Sequence, residues 1–529
     1  MWGSKKRLKD MSMQESRTIK SLKNAEVSII YYALNLILGF WSRNIFYRYL
    51  GSEVLGLDTT ASSLLSFLNL AELGVGSSIA YFLYKPMFDN DTHTVNEIVA
   101  LQGWIYRRIA ILIILASVVM MCFFPWIFAK MKLPLWYAYC TFLVMLFGSL
   151  LGYFINYRQC VLNTDQKGYK VTQVTSGAGV FFKLLLILLL PVVSNPYVFY
   201  ILTSICGSLF GCLWLNHVLK QEYPWLHKAE KSGRELLKKY PDILKTTGLI
   251  FFHQISWFIV FKITPFIMYA FTSLTTIAYY GNYLVVVDNF KNIINMAYSS
   301  TSNGVGNLIA SGDKKRIMDV FWELTDSRLC ISFGCLLVVG IVTEPFIAAW
   351  LSPMYLLDKL VLFLVCFSSW LFINRNTVDQ FRDGYCIYQD IWVPMVEGVV
   401  NLGVAIAAGY YLGIKGVLLG AVVSTLLITY GWRPYYLYRK GFKLNAFIGY
   451  FIPILKRWLL LAANAIVILF VISKIGYHPS TIISVCMYGL VLGTIIVPLI
   501  YVEFLFATQG TRDFNKRMIG VMKAKLNKR

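Results

Sequence analysis

The sequence predicts an all-α polytopic membrane protein with about fourteen transmembrane helices and both termini in the cytoplasm. Of its 529 residues, 57% are hydrophobic and 14% are charged, against roughly 45–50% and about 25% in soluble domains. Apolar runs long enough to cross about 30 Å of hydrocarbon recur along the chain. Lys and Arg gather in alternate loops, which is typical of cytoplasmic loops.

Each predicted span contains about 20 or more mostly apolar residues. In chain order the spans are 27–47, 57–84, 105–128, 135–157, 171–191, 196–217, 246–271, 277–308, 329–350, 356–378, 391–411, 416–437, 451–472 and 480–506. No loop exceeds about thirty residues and no G-x-x-x-x-G-K-[ST] phosphate loop occurs, so a fused ATPase is excluded. The outer loops are also too short for a glycosyltransferase or polymerase site, which argues against an enzyme.

The predicted spans fall into two halves that repeat faintly at an offset of about 220 residues, as in transporters built from paired lobes. Residues 1–26 carry seven Lys/Arg and no apolar core, so they predict a basic cytoplasmic tail rather than a signal peptide. The predicted organisation is an N-lobe of six spans at 27–217, a cytoplasmic linker at 218–245, a C-lobe of six spans at 246–438, two further spans at 451–506 and a basic cytoplasmic tail at 507–529.

The net charge of +22 could indicate a nucleic-acid partner, but apolar runs separate the cations, so no nucleic acid is expected. The chain has 49 Lys/Arg; six in predicted outer loops and four within spans leave 39 on the cytoplasmic side. The four within spans are Arg43, Lys183, Lys262 and Lys291. Each costs at least ~2.5 kcal/mol at mid-bilayer. Such an excess of buried cations favours an anionic passenger such as a phosphate.

Polar residues within spans predict a hydrated cavity. In span eight, one helical face carries Asp288, Lys291, Asn292, Asn295, Ser299 and Asn303. Asp288, Asn292, Asn295 and, in span two, Glu72 are therefore candidates to line the cavity. Alternatively, Asp288 and Lys291 form an i,i+3 pair that joins this helix to a neighbour. Lys183 could likewise simply pair with Glu72.

Glu397 and Asn401 lie one helical turn apart in span eleven and are candidates to bind a coupling ion, either Na⁺ or H⁺. The alternative is that Glu397 satisfies backbone groups left open by a kink at Pro394. The ten cysteines form no CxxC pair and have no His partner at metal-ligand spacing, so no metal or cofactor is expected.

Several motifs are spaced along nearly the whole chain. They are AELGVG at 71–76, LYKP at 83–86, RQCVLNTDQKGY at 158–169, GNLIAS at 306–311 and GIKGVLLG at 413–420. In order and spacing they resemble bacterial polysaccharide flippases of the O-antigen and capsule (Wzx-like) type. These belong to the multidrug/oligosaccharidyl-lipid/polysaccharide exporter superfamily.

The resemblance implies a substrate of oligosaccharide joined by pyrophosphate to undecaprenol, moved from the inner to the outer leaflet of the bacterial cytoplasmic membrane. It implies two six-helix lobes, a V-shaped cationic cavity and ion-driven alternating access. On that basis Arg43, Lys183, Lys262 and Lys291 would bind the pyrophosphate. The 158–169 loop, with Arg158, Asp165 and Gln166, would serve a cytoplasmic gate.

Membrane lipids and polysaccharide assembly proteins, such as a polymerase and glycosyltransferases, are the other expected partners. Two rival functions remain open at this point. One is a small-molecule or cation antiporter of the same superfamily, which predicts a cavity rich in carboxylates. The other is a membrane polysaccharide polymerase or ligase, which the short outer loops disfavour.

Overall fold

The computed structural model describes residues 2–72, 74–227, 232–248, 250–251, 264–299, 305, 308–309, 312–385, 387, 389–390, 392–477 and 479–526. Over these residues every regular element is a helix, and no strand occurs. This confirms the predicted all-α class. The chain divides into two compact units, 1–258 with 273–278 and 259–272 with 279–529.

The first unit is built from helices α1 to α10. They are α1 (Trp2–Tyr49), α2 (Gly51–Leu68), α3 (Val75–Asp89), α4 (Thr92–Cys122), α5 (Phe124–Ile127), α6 (Trp136–Phe154), α7 (Gln159–Thr164), α8 (Gly168–Leu189), α9 (Pro196–Glu222) and α10 (Gly233–Lys239). Helix α8 packs along α1 and against α9, and α6 packs against α2 and α9.

The second unit contains most of helices α11 to α20. They are α11 (Thr264–Phe271), α12 (Leu274–Ser299), α13 (Lys314–Trp350), α14 (Lys359–Gly384), α15 (Trp392–Leu412), α16 (Ile414–Ser424), α17 (Arg433–Leu437), α18 (Ile452–Ile475), α19 (Ile482–Ala507) and α20 (Gln509–Leu526). Three π-helical segments, Thr425–Trp432, Tyr438–Phe442 and Phe447–Phe451, connect α16, α17 and α18. The division between the units falls within α12, after Ala278.

Ten helices in the described part of the chain are long and apolar enough to cross a membrane. They correspond to predicted spans three to six and nine to fourteen. Several of them expose most of their side chains at the protein surface; in Ile482–Ala507, for example, only 17% of the most apolar window is buried. Such exposure of apolar surface suits contact with lipid. The protein is therefore a multi-pass membrane protein, while the total of fourteen spans and the cytoplasmic termini remain predictions.

The second predicted span, 57–84, is not one continuous helix. Helix α2 ends at Leu68, a 3₁₀ turn runs over Asn69–Glu72, and α3 begins at Val75. The cause lies at Gly74, which has φ +90° and whose added Cβ would lie 2.7 Å from the backbone oxygen of Thr247. Only glycine adopts this conformation without strain and allows so close an approach. The helix is therefore interrupted within the predicted span.

The predicted basic tail is largely helical. It contains helix α20, which begins two residues after α19 ends and packs on α13. Arg517 on α20 forms an ion pair with Glu323 on α13, with Nε 2.8 Å from Oε1. One turn along α13, the buried Asp326 accepts a 2.9 Å hydrogen bond from Nη2 of Arg457.

Candidate functional site

A cavity of about 380 Å³ opens in the first unit beside the interrupted helix. It is lined by Asn69, Glu72, Gly76, Ala80, Gln102, Tyr106, Ser149, Gly152, Tyr153, Tyr157, Gln159, Cys160 and Asn163. These residues come from the 3₁₀ turn, α3, α4, α6, α7 and the turn before α7. Interrupted helices mark binding sites in many transporters, because the break brings main-chain ends and polar side chains to a cavity. We call this cavity the Glu72 pocket.

The carboxylate of Glu72 is held by two tyrosine hydroxyls. Tyr106 donates to Oε1 and Tyr153 to Oε2, both at 2.8 Å. The Tyr153 hydroxyl also lies 3.1 Å from Oδ1 of Asn69, which accepts a 3.3 Å hydrogen bond from Ser149. A hydroxyl carries one proton, so Tyr153 can donate a hydrogen bond to only one of Glu72 and Asn69 at a time. The pocket therefore has a polar network that can change partners.

Helix α7 presents one face to this pocket. Gln159, Cys160 and Asn163 all line it, as expected for positions i, i+1 and i+4 of a helix. The Cys160 thiol donates to Oε1 of the buried Gln102 at 2.9 Å. This helix belongs to the 158–169 motif that the sequence predicts to be a gate, so part of that motif lines a cavity.

The predicted gate residues themselves lie around α7. Arg158 donates from Nε to the Tyr157 hydroxyl at 3.3 Å. Asp165 pairs with Lys167 at 2.8 Å and accepts a 2.9 Å hydrogen bond from the Tyr223 hydroxyl. Gln166 has φ +58°, and its carbonyl accepts a 2.8 Å hydrogen bond from Nδ2 of Asn24. These contacts hold the loop in place, and its role as a gate remains a prediction.

Lys167, in the same loop, also lies 3.2 Å from Glu222. Burial lowers the pKa of Lys167, but hydrogen bonds and attraction from Asp165 and Glu222 outweigh burial and raise this pKa above its usual value. The lysine is therefore charged throughout the physiological pH range.

The two predicted pyrophosphate-binding cations of the first unit lie away from the Glu72 pocket. Arg43 on α1 donates to the backbone oxygen of Ala278 at 3.0 Å, and its guanidinium lies 5.9 Å from the Tyr47 ring centre. Lys183 on α8 lies 3.4 Å from Oδ1 of Asn35. The alternative interpretation that Lys183 pairs with Glu72 is wrong, because the carboxylate is engaged by tyrosines instead.

In the second unit, Lys291 forms an ion pair with Asp288 within α12, as the alternative interpretation predicts. Its ammonium also lies 5.3 Å from the ring centre of Phe372 on α14. Asn295 accepts a 2.9 Å hydrogen bond from Asn376 on the same neighbouring helix, whereas Asn292 is exposed. This face of α12 therefore contacts α14. Lys262 lies outside the described residues.

Glu397, the predicted ion-coupling carboxylate, is buried and already paired. Its Oε2 lies 2.8 Å from Nη2 of Arg433, and Thr429 donates to its Oε1 at 3.0 Å. Arg433 also donates to Asp379 at 2.9 Å, and Asp379 accepts a further 3.2 Å hydrogen bond from Arg375. The predicted partner Asn401 is buried one turn further along α15. A coupling ion at Glu397 would therefore have to compete with Arg433.

Sequence reasoning missed this network because it assigned Arg433 to the cytoplasmic loop that follows span twelve. The signal was present, since Arg433 falls inside the predicted span 416–437 and four residues after Thr429. The residue is only 8% exposed.

A second arginine was missed in the same way. Arg328 was assigned to the loop before span nine, but it lies within α13 and is 1% exposed. Its guanidinium lies 4.6 Å from the Tyr298 ring centre, and within the described structure its Nε and Nη1 have no hydrogen-bond partner. Among the described residues it is therefore a buried cation with two guanidinium nitrogens that lack a hydrogen-bond partner.

A structure of the lipid II flippase MurJ in an inward closed conformation matches with a TM-score of 0.66 and 14% identity, over 92% of this chain and 99% of that one. An inward-facing multidrug resistance MATE family transporter of the MOP superfamily matches with a TM-score of 0.56 and 12% identity, over 79% and 97%. The chain therefore shares its fold with these two proteins. No protein family and no curated protein matches its sequence.

Proposed function

We propose that the protein is a flippase that moves an undecaprenyl-pyrophosphate-linked oligosaccharide from the inner to the outer leaflet of the bacterial cytoplasmic membrane. Its role would be export of a polysaccharide such as O-antigen or capsule, supplied by glycosyltransferases and consumed by a polymerase. The observation that carries this proposal is the fold shared with the lipid II flippase along 92% of the chain.

The buried charges support an anionic substrate. In the first unit, Lys183 lies beside the amide oxygen of Asn35, and Arg43 donates to the backbone oxygen of Ala278 and is also attracted by the carboxylate of Asp58. In the second unit, Arg328 adds a buried cation beside a network in which Arg375 and Arg433 face Asp379 and Glu397. A pyrophosphate is the part of the proposed substrate that such cations would attract.

Transport against a concentration difference needs coupling, for which we propose Na⁺ or H⁺ and alternating access. Because Glu397 is paired with Arg433, coupling at Glu397 requires that the guanidinium move away from the carboxylate during the cycle. Export of a small organic cation is the second candidate function. It is favoured by one observation, the carboxylate of Glu72 in a pocket whose lining, in the described part of the chain, contains no Lys or Arg.

The test is reconstitution of the purified chain in liposomes with undecaprenyl-pyrophosphate-linked oligosaccharide carrying a fluorophore on the glycan. A membrane-impermeant reductant bleaches only the outer leaflet, so flipping appears as bleaching beyond the outer-leaflet fraction. We expect protein-dependent bleaching with an imposed Na⁺ or H⁺ gradient. Absence of flipping under either gradient, together with gradient-driven uptake of ethidium or tetraphenylphosphonium, would favour the cation exporter.

The same assay tests the contribution of the buried cations. We expect Lys291→Ala to slow flipping by about tenfold or more, because a charge-assisted hydrogen bond to phosphate is worth about 1.5–3 kcal/mol. Lys130→Ala, in a predicted outer loop, is the matched control and should change the rate less than twofold. Equal effects of the two substitutions would contradict a substrate-binding role for Lys291.

A further inference from the structure

The Glu72 pocket has the size of a small-molecule site. Its volume of about 380 Å³ falls within the ~300–1,000 Å³ of ligand pockets and far exceeds the space that a single bare ion occupies. Asn163 on α7 is exposed, whereas Gln102, Tyr106 and Tyr153 are buried. The pocket thus runs inward from α7, which lies in a loop predicted to be cytoplasmic.

The lining offers both hydrogen-bond donors and acceptors. Four carboxamides line it, those of Asn69, Gln102, Gln159 and Asn163, and each carries an acceptor oxygen and two N–H donors. The hydroxyls of Tyr106 and Tyr153 and the carboxylate of Glu72 complete the network. A metal cation uses acceptors only, so such a mixture fits a ligand that itself both donates and accepts. Sugar hydroxyls and acetamido groups have this property.

Aromatic rings form part of the same surface. The rings of Tyr106 and Tyr153 are 5.5 Å apart and nearly perpendicular, with an interplanar angle of 89°. An aromatic cage for an organic cation directs ring faces toward the charge, but here the two rings turn edge to face and direct their hydroxyls to Glu72. Their arrangement therefore favours hydrogen bonding to a ligand over cation binding.

The charge of the lining disfavours binding of the pyrophosphate group of the proposed substrate in this pocket. Among the described residues, the lining contains the carboxylate of Glu72 and no Lys or Arg, so a pyrophosphate bound there would be repelled by this carboxylate. The guanidinium of Arg158 lies outside the lining, where it donates to the Tyr157 hydroxyl. The cations Arg43 and Lys183 lie on α1 and α8, neither of which lines the pocket. Arg43 and Lys183 are thus set apart from this surface, whereas Arg158 contacts it through the Tyr157 hydroxyl.

We propose that the Glu72 pocket is a saccharide-binding subsite, in which Glu72, Tyr106, Tyr153, Gln159 and Asn163 bind one or two sugar residues near the cytoplasmic side. The proposal rests on the proposed function and deepens it, because it assigns the glycan to the first unit. The proposal also gives the 158–169 motif a role in recognising the sugar, because Gln159 and Asn163 lie on the face of α7 that lines the pocket.

Binding is tested without transport, on the full-length chain in lipid nanodiscs. Saturation-transfer difference NMR with free N-acetylglucosamine, glucose and galactose at millimolar concentration is the measurement. We expect signal from at least one sugar, and a weakening of at least fivefold in Tyr153→Phe and in Asn163→Ala. Tyr139→Phe is the matched control, because Tyr139 lies on the same helix and donates instead to the backbone oxygen of Met121. It should bind as the unaltered chain does.

The flipping assay then separates this proposal from the proposed function. If the chain binds sugars through the pocket but flips no lipid-linked glycan, the function is wrong and the subsite stands. If it flips the glycan lipid with equal rates in Tyr153→Phe, Asn163→Ala and Tyr139→Phe and no sugar gives a signal, the subsite is wrong and the function stands. A sugar signal that is undiminished in both Tyr153→Phe and Asn163→Ala would also overturn the assignment of the sugar to this pocket.

Discussion

Arg328 and Arg433 are two buried arginines in one unit whose surroundings differ sharply. Arg433 makes hydrogen bonds to Asp379 and Glu397 and lacks a partner at Nε alone, whereas Arg328 lies beside a tyrosine ring and lacks partners at both Nε and Nη1 within the described structure. Removing one member of a buried ion pair leaves the other charge uncompensated. Removing an arginine whose N–H groups are unfilled relieves a desolvation cost.

We therefore expect opposite effects of the same substitution. Arg433→Met should lower the free energy of unfolding by about 3–5 kcal/mol. Arg328→Met should leave it within about 1 kcal/mol or raise it, because its contact with Tyr298, worth about 2 kcal/mol when desolvated, is offset by the desolvation relieved. Thermal unfolding of the purified variants in detergent measures both. A large loss of stability in Arg328→Met would show that the residue has a structural partner.

Measuring both thermal stability and flipping rate distinguishes a structural role of Arg328 from a role in binding an anion. If the residue binds an anion during the cycle, Arg328→Met should fold normally and still slow flipping of the glycan lipid by about tenfold, while Arg328→Lys keeps part of the activity. A stable variant with an unchanged flipping rate would exclude this residue from substrate binding.

At the scale of elements, the interruption between α2 and α3 positions the Glu72 pocket. Asn69 and Glu72 lie in the 3₁₀ turn, so a continuous helix would turn their side chains to other directions. Gly74 makes the break possible through its positive φ and its contact with Thr247. The pocket depends on a glycine that does not line it.

Gly74→Ala should therefore destabilise the first unit. The strained φ costs of order 1–3 kcal/mol, and the added Cβ would lie 2.7 Å from a backbone oxygen. The matched control is Gly39→Ala, in α1, where an added Cβ meets nothing within 4 Å and a helix interior gains roughly 0.5–1 kcal/mol from alanine. A thermal midpoint for Gly74→Ala equal to or above that of Gly39→Ala would contradict the argument.

The sequence was informative about long apolar helices and less so about their interruptions. Hydrophobicity alone located the ten described helices that can cross a membrane, because burial in lipid imposes the same composition on each. It also selected Glu72, Asp288 and Lys291, since charges within apolar runs are costly. Hydrophobicity could not show whether Arg433 belongs to the helix or to the basic loop that follows. Its ion-pair partners, Asp379 and Glu397, lie on other helices, and their proximity is not visible in the sequence. Nor could it show that Gly74, and not Gly76, breaks the helix, since that depends on the approach of Thr247.

At the scale of the whole molecule, topology is the open prediction. Four predicted spans, 27–47, 57–84, 246–271 and 277–308, are additional to the ten described helices that can cross a membrane. If all fourteen cross, the loops near Lys132, Ser273 and Gly413 face outward, and those near Asp91, Trp225 and Asp313 face the cytoplasm.

Reporter fusions truncated after these six residues test the count. Alkaline phosphatase should be active after Lys132, Ser273 and Gly413, and green fluorescent protein should fluoresce after Asp91, Trp225 and Asp313. The fusion at Ser273 is the sharpest, since it lies between spans seven and eight. Fluorescence there would mean that 246–271 does not cross the membrane, and the fourteen-helix topology would be wrong.

The π-helical segment Thr425–Trp432 has a consequence for the register of the helix that carries Arg433. A π turn holds one residue more than an α turn, and an α-helix advances about 100° per residue. In α-helical form, this segment would turn Arg433 about 100° away from its present direction and away from Glu397. The Arg433–Glu397 ion pair therefore requires one register of this helix, and a shift of the helix by one residue would release the carboxylate of Glu397.

We expect deletion of Gly431 to abolish transport while circular dichroism shows that helix content is retained. Normal transport in this variant would mean that the register of the helix does not matter.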